Sequence, residues 1–230
     1  MSRTCFSVAI SAVVLAGVAW GSTPPVEPFS DSFEGTQIYP YWALTQDYGT
    51  VTLSKDQFYS GAKSLEFASA SGGERTIYAT HKFPRHTKGT VSVAFYDYAP
   101  GQETLYEGLT LEDSAVQSHV ASVGTNDYDA YCYKAFVGSD GQGPHANCGQ
   151  YPGSETTNVK RTLGWHVFSI SYDVSSVSIA IDGTVVYTAN VAGYEFDTVI
   201  LSIDGPYWRP NTIAYFDNFS FEPLPLYAKQ

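Results

Sequence analysis

Gly164-Trp-His-Val-Phe-Ser-Ile-Ser-Tyr-Asp173, continued by Ser175-Ser-Val-Ser-Ile-Ala-Ile-Asp182-Gly183-Thr-Val-Val-Tyr187, decides the fold class. Val167, Ser169 and Ser171 alternate with Phe168, Ile170 and Tyr172, and Val177, Ile179 and Ile181 alternate with Ser178, Ala180 and Asp182. A period of two is the signature of a half-buried strand. Asp182-Gly183 then reads as a tight hairpin turn, because Asp and Gly accept the positive φ angles that a two-residue turn demands. Val185, Val186 and Tyr187 open the return strand.

This order of Trp-His, strand, short turn, strand, Asp-Gly and Val-rich return resembles the laminin-G or concanavalin A-like jelly roll. The resemblance implies an all-β, two-sheet antiparallel sandwich. Members of that group bind glycans, cleave them, or hold proteins together, so the resemblance fixes a fold more firmly than a function.

Outward from this stretch, the N-terminus has a short basic head at Met1-Ser-Arg3, an almost wholly apolar run from Cys5 to Trp20, and small residues at Ala19 and Gly21. That reads as a secretory signal over residues 1–21, with an uncleaved anchor as the alternative. A lead-in over 22–29, a single domain over 30–223 and a tail over 224–230 follow. Eighteen Tyr, thirteen Phe and four Trp beside 15% charged residues suit pleated, half-buried surfaces. The formal charge of −11 argues against nucleic acid and anionic membrane as partners and favours a glycan or an extracellular protein. Of the three cysteines, Cys132 and Cys148 lie beyond the signal, and in an exported chain they are expected to form a disulfide.

Phe33-Glu34-Gly35, Ser60-Gly-Ala-Lys-Ser-Leu65 and Phe216-Asp217-Asn218 together resemble a second group, the jelly-roll carbohydrate-binding modules. The first and last of these pieces are expected to pair, because a sandwich commonly tucks its termini side by side in one sheet, and the resemblance implies a structural Ca2+. Its ligands would be Glu34 and Asp217, with Asp31 as a third acid and carbonyls of Ser60 and Lys63. The other reading has the acids satisfied by backbone amides.

Two aromatic regions are candidate sugar contacts. In Asp129-Ala-Tyr131-Cys132-Tyr133, alternation places Asp129, Tyr131 and Tyr133 on one face, with rings about 7 Å apart. Asn147 and Gln150 on the cysteine-closed loop add amides, and Tyr207, Trp208 and Arg209 form the second region. Trp42 is expected in the core. Glu107 shares a face with Leu105, Leu109 and Leu111, so either it is a functional carboxylate or, as the favoured expectation, a bulge at Gly108 turns it outward.

No Glu-x-Asp-x-x-Glu string, Gly-x-Ser-x-Gly, His-Glu-x-x-His, P-loop or dinucleotide glycine motif occurs, so no catalytic residue is assigned. The expectation is a secreted, non-catalytic, lectin-like domain. An adhesive protein without sugar affinity and a glycan-active enzyme using Asp129 and Glu107 are the alternatives.

Overall fold

The computed structural model describes residues 26–116, 118–126, 128–138, 142–150, 153, 155–190 and 195–225. The expected signal, the first half of the lead-in and most of the tail lie outside the described residues. The first strands are β1 (Phe29–Asp31), β2 (Ala43–Asp47), β3 (Gly49–Ser54), β4 (Ser64–Ser69) and β5 (Arg75–Thr87). Next come β6 (Gly89–Asp97), β7 (Tyr106–Asp113), β8 (Ser118–Asn126), β9 (Asp129–Val137) and β10 (Thr156–Lys160). The last are β11 (Gly164–Tyr172), β12 (Ser176–Ile181), β13 (Thr184–Asn190), β14 (Phe196–Gly205) and β15 (Ile213–Pro223).

They form two antiparallel sheets. The first runs β13-β12-β11-β6-β15-β4-β3 with β1 on β15, and the second runs β10-β9-β8-β7-β14-β5-β2. As the alternation demands, Phe168, Ile170 and Tyr172 are buried and stand opposite Ile181, Ile179 and Val177. Asp182 and Gly183 take φ of 51° and 74°, the left-handed pair of a two-residue hairpin. Asp182 also closes the turn with its side chain, accepting the Val167 N–H at 2.7 Å and meeting His166 Nδ1 at 2.8 Å. The chain ends pair as expected, with Phe29 opposite Phe221 and Asp31 opposite Phe219.

Aromatic rings join the sheets. Phe83 of β5 meets Phe221 of β15 with centroids 4.4 Å apart, and Tyr133 of β9 meets Phe168 of β11 at 5.4 Å. Burying each such ring contributes roughly 1.5–3 kcal/mol, so this seam is a main source of stability. Trp42 is buried, its indole N–H donating to Asp31 Oδ2 at 3.0 Å.

One expectation is corrected in β7. The register shift falls between Leu111 and Glu112, not at Gly108, so Glu107 stays on the leucine face and is 1% exposed. Gly108 lies against its neighbour strand, where an added Cβ would sit 2.4 Å from the Val123 carbonyl oxygen. Close packing of β7 on β8 thus uses the glycine and leaves the strand straight.

The interior also holds a charged group of residues. Arg161 forks onto Asp97 with Nε to Oδ2 at 2.8 Å and Nη2 to Oδ1 at 2.9 Å, and the Tyr133 hydroxyl donates to Asp97 Oδ2 at 3.0 Å. Burial, with Asp97 next to it, raises the Tyr133 phenol far above its usual range.

Cys132 and Cys148 form the expected disulfide across 16 residues, with Cα atoms 6.2 Å apart. A loop of that size is worth about 3 kcal/mol in the chain-entropy account. The Cys132→Ser/Cys148→Ser variant should lose about that much in urea unfolding; an unchanged midpoint would show that the loop is already ordered in the unfolded chain.

Candidate active site

Strand parity gives the second sheet an inner face of Ile77, Leu109, Val123, Tyr133 and Leu201, all buried in the core. Its outer face is polar. The register lines up Thr45, Tyr78, Ser202, Gly108, Gly124, Lys134 and Thr156 as one row across all seven strands. The next row along holds Thr80, Ile200, Thr110, Ser122 and Phe136, and the row before it holds Thr76, Asp204 and Tyr106. Among the described residues no helix or third sheet covers this face, yet Thr110, Ser122, Thr198 and Ser202 are buried. Small polar residues on the central strands are thus sunk between larger ones around them.

Tyr106 lies over the glycine floor, its hydroxyl near the position a Gly108 Cβ would occupy and in hydrogen-bond contact with Ser122 Oγ. Ser122 Oγ in turn pairs with Thr110 Oγ1 at 2.7 Å. Burial pushes the Tyr106 phenol up, and the charges of Glu155 and Asp204 add to this. Tyr78 is raised too, first by burial and then by Asp204, to which its hydroxyl is hydrogen-bonded. Both phenols therefore keep their protons at any ordinary pH.

Glu155 is placed beside this face by the disulfide loop. Its carbonyl accepts the Ala135 N–H at 2.9 Å, and the Ala146 N–H bonds Thr156 O at 3.0 Å. Gly143 lets the loop pass, since a Cβ there would lie 2.6 Å from the Glu155 Cα. Glu155 itself holds φ of 70°, an unfavourable angle for a residue with a side chain. Burial raises its carboxyl above the ordinary value, opposed by the Lys134 charge. Lys134 Nζ donates to Thr156 Oγ1 at 2.7 Å and sits 3.9 Å from Asp129 Oδ2.

The residues singled out in the sequence fall into separate places. Asp129 is buried and structural, its Oδ1 accepting the N–H groups of Tyr131, Cys132 and Gln150. Tyr131 is 53% exposed whereas Tyr133 is buried against His166 and Phe168, so the two rings do not share an open strip. Asn147 and Gln150 are exposed on the disulfide loop, and Tyr207, Trp208 and Arg209 occupy the turn after β14.

At the opposite corner, Glu34 Oε1 accepts the N–H groups of Ala62 and Lys63, and Asp217 Oδ2 those of Tyr59 and Ser60. Asp31 is engaged by the Phe33 N–H and Trp42. The Lys63 ammonium caps the Gly35 carbonyl at 2.5 Å. Calcium needs lone pairs, and here amide hydrogens take up one oxygen of each acid while the ammonium takes up a neighbouring carbonyl. The donors as placed do not fit the ion, and no step below runs through it.

A third cluster, His86, Asp113 and Asp197, has ligand atoms within 4.8 Å of one another. His86 Nε2 lies 2.8 Å from Asp113 Oδ1, an attachment that holds Asp113 low and His86 high. Asp197 stays low through Ser114 and Thr198 despite its burial. Acids held ionised in this way are poor proton donors.

No family model matches the chain, and no curated protein matches it. Solved structures do. The cellulose induced protein Cip1 superposes with a TM-score of 0.62 at 15% identity, covering 84% of this chain and 96% of that one. The fold is a concanavalin A-like jelly roll. The Crh5 transglycosylase follows with a TM-score of 0.56 at 15% identity, covering 85% and 83%. A laminarinase from Flavobacterium sp. UMI-01 gives 0.54 at 11% identity, covering 86% and 99%. The transglycosylase and the laminarinase are enzymes, and this likeness overturns the expectation of a non-catalytic, lectin-like domain.

The sequence reading missed Tyr78, Tyr106, Lys134, Glu155 and Asp204 as a group. The available signal was the polar half of each alternation, Tyr106, Gly108, Thr110 and Glu112 against Glu107, Leu109 and Leu111, which by itself is the pattern of any solvated face.

Proposed function

We propose that this chain is a glycan-active enzyme, a hydrolase or transglycosylase, working on the outer face of its second sheet. The observation that carries the reading is the group around Tyr106, where two neutral phenols and the carboxylates of Glu155 and Asp204 act on one another on a face that nothing described covers. Glycosyl transfer needs a proton donor for the leaving oxygen and a second carboxylate to act as base or nucleophile. Glu155, raised by burial, is suited to donate. Asp204, oriented by the Tyr78 hydroxyl, is suited to the second role. Glu112, whose charge also reaches Tyr78, stands opposite Thr198, six residues along β14 from Asp204. The fold's likeness to a transglycosylase and a laminarinase supports the same class. The disulfide and the leader-like N-terminus support export.

Reducing-end release and chain-transfer products should be followed on a panel of β-glucans, xylan and chitin oligomers. We expect turnover on at least one, reduced about 10²–10⁴-fold in Glu155→Gln and in Asp204→Asn. Undiminished turnover in both variants would place the chemistry elsewhere, and no product from any glycan would sink the enzymatic reading.

A further inference from the structure

Arg75 is buried, and among the described residues its side-chain hydrogen bonds go to backbone carbonyls and an amide oxygen. Nε donates to Ala70 O at 2.9 Å, Nη1 to Pro206 O at 2.8 Å and Arg209 O at 3.0 Å, and Nη2 to Asn211 Oδ1 at 3.0 Å. Among the described residues no carboxylate pairs with this guanidinium, and burying it so is costly, so what it holds in place is informative. Three of these four bonds hold the single turn that follows Asp204. The turn is closed further by the Arg209 N–H on Pro206 O at 3.2 Å.

The tip of this rigid turn shows its largest rings to solvent. Tyr207 is 59% and Trp208 61% exposed, set edge to face with centroids 5.2 Å apart. Between them and the neighbouring loop, Arg209 lies over the Tyr128 ring at 5.1 Å and pairs with Glu103. Tyr128 is itself 55% exposed. Fixing exposed aromatics in advance lowers the ordering cost of whatever stacks on them. β14 ends at Gly205, so the turn that carries the rings begins two residues beyond Asp204, at the end of the strand that bears this carboxylate.

We infer that Tyr128, Tyr207 and Trp208, held by Arg75 and Arg209, form a platform that grips the uncleaved length of a neutral polymeric glycan beside the reacting bond. This rests on the glycan reading above. Rings edged by Arg209 and Glu103 offer both the flat face and the hydrogen-bonding rim that a pyranose chain presents in complement. The chain's charge of −11 and the Glu103 carboxylate select against acidic polymers.

The test is native electrophoresis of the full chain through gels carrying laminarin, barley β-glucan, xylan or polygalacturonate, beside turnover on polymer and on a tetrasaccharide. Wild type should be retarded by a neutral polymer and not by polygalacturonate. Trp208→Ala and Tyr128→Ala should weaken retention about ten-fold, the scale of one aromatic contact. Their KM should rise more on the polymer than on the tetrasaccharide. Val185→Ser, on an exposed edge strand, should run as wild type. Wild-type retention in Trp208→Ala, retardation by the acidic polymer alone, or no retardation in any gel would overturn the platform. Retention lost in Trp208→Ala, with no turnover by any form, would keep the platform and remove the enzymatic reading.

Discussion

Glu107→Gln should be more stable than the parent at pH 8 by several kcal/mol and close to it at pH 4. Burial pushes the Glu107 carboxyl up to about 8 from 4.5, with Arg161 opposing and Asp97 adding to the rise. Between those values the native state holds a proton that the unfolded chain has released. Bound protons in excess on the native side make stability fall as pH rises, by about 1.4 kcal/mol per unit, or roughly 5 kcal/mol across the interval. Above the folded value the loss levels off. Gln has the same shape and no charge to bury, so this slope disappears. The Thr212 hydroxyl also acts on the Glu107 carboxyl, against the rise, and an amide at 107 can keep that contact without a charge. Urea midpoints of both proteins from pH 4 to 9 decide the matter, since parallel curves would show that Glu107 reaches water before it ionises.

Asp97→Asn is expected to cost about 3–5 kcal/mol at pH 5, because it leaves the Arg161 guanidinium charged in the core without its carboxylate. The remaining bonds to Gln102 O at 3.0 Å and Ala99 O at 3.1 Å satisfy hydrogens without neutralising charge. Glu107 makes the loss depend on pH. Asp97 disfavours ionised Glu107, and Arg161 favours it. Once Asp97 is neutral, Glu107 ionises at lower pH and takes over part of Arg161's pairing. The cost should therefore shrink toward pH 8, and the Asp97→Asn/Glu107→Gln double variant should lose that relief. A cost independent of pH in the single variant would show that the two acids do not share the arginine. These effects reach function as well, because Tyr133, bonded to Asp97, lies on β9 one residue before Lys134.

Several elements were legible because their information is local. The alternation in β11 and β12, the Asp182-Gly183 turn and the burial of Trp42 each follow from residues a few positions apart. The pairing of β1 with β15 was also foreseen, although there the habit of sandwiches to set their two ends side by side supplied the long-range partner. At Glu107 local reasoning failed for an identifiable reason. A carboxylate among leucines looked like a strand about to bulge, but close packing of Gly108 on Gly124 keeps β7 straight, and the fold accepts a protonated acid instead. Tyr131 and Tyr133 share a parity, yet only Tyr133 lies under β11, so periodicity alone could not separate an exposed ring from a core ring.

By itself, then, the sequence determined the sandwich, its central hairpin and its disulfide, since period-two burial, positive-φ turn residues and a pair of cysteines act within short stretches of chain. Only the tertiary structure decided where a site could be. Tyr78, Tyr106, Lys134, Glu155 and Asp204 come from segments scattered along the chain, and they meet because the order β10-β9-β8-β7-β14-β5 lays those segments side by side. A polar residue on an alternating strand is solvated surface or part of a buried cluster according to its cross-strand neighbours, and sheet order, which arises from long-range packing, is what chooses them.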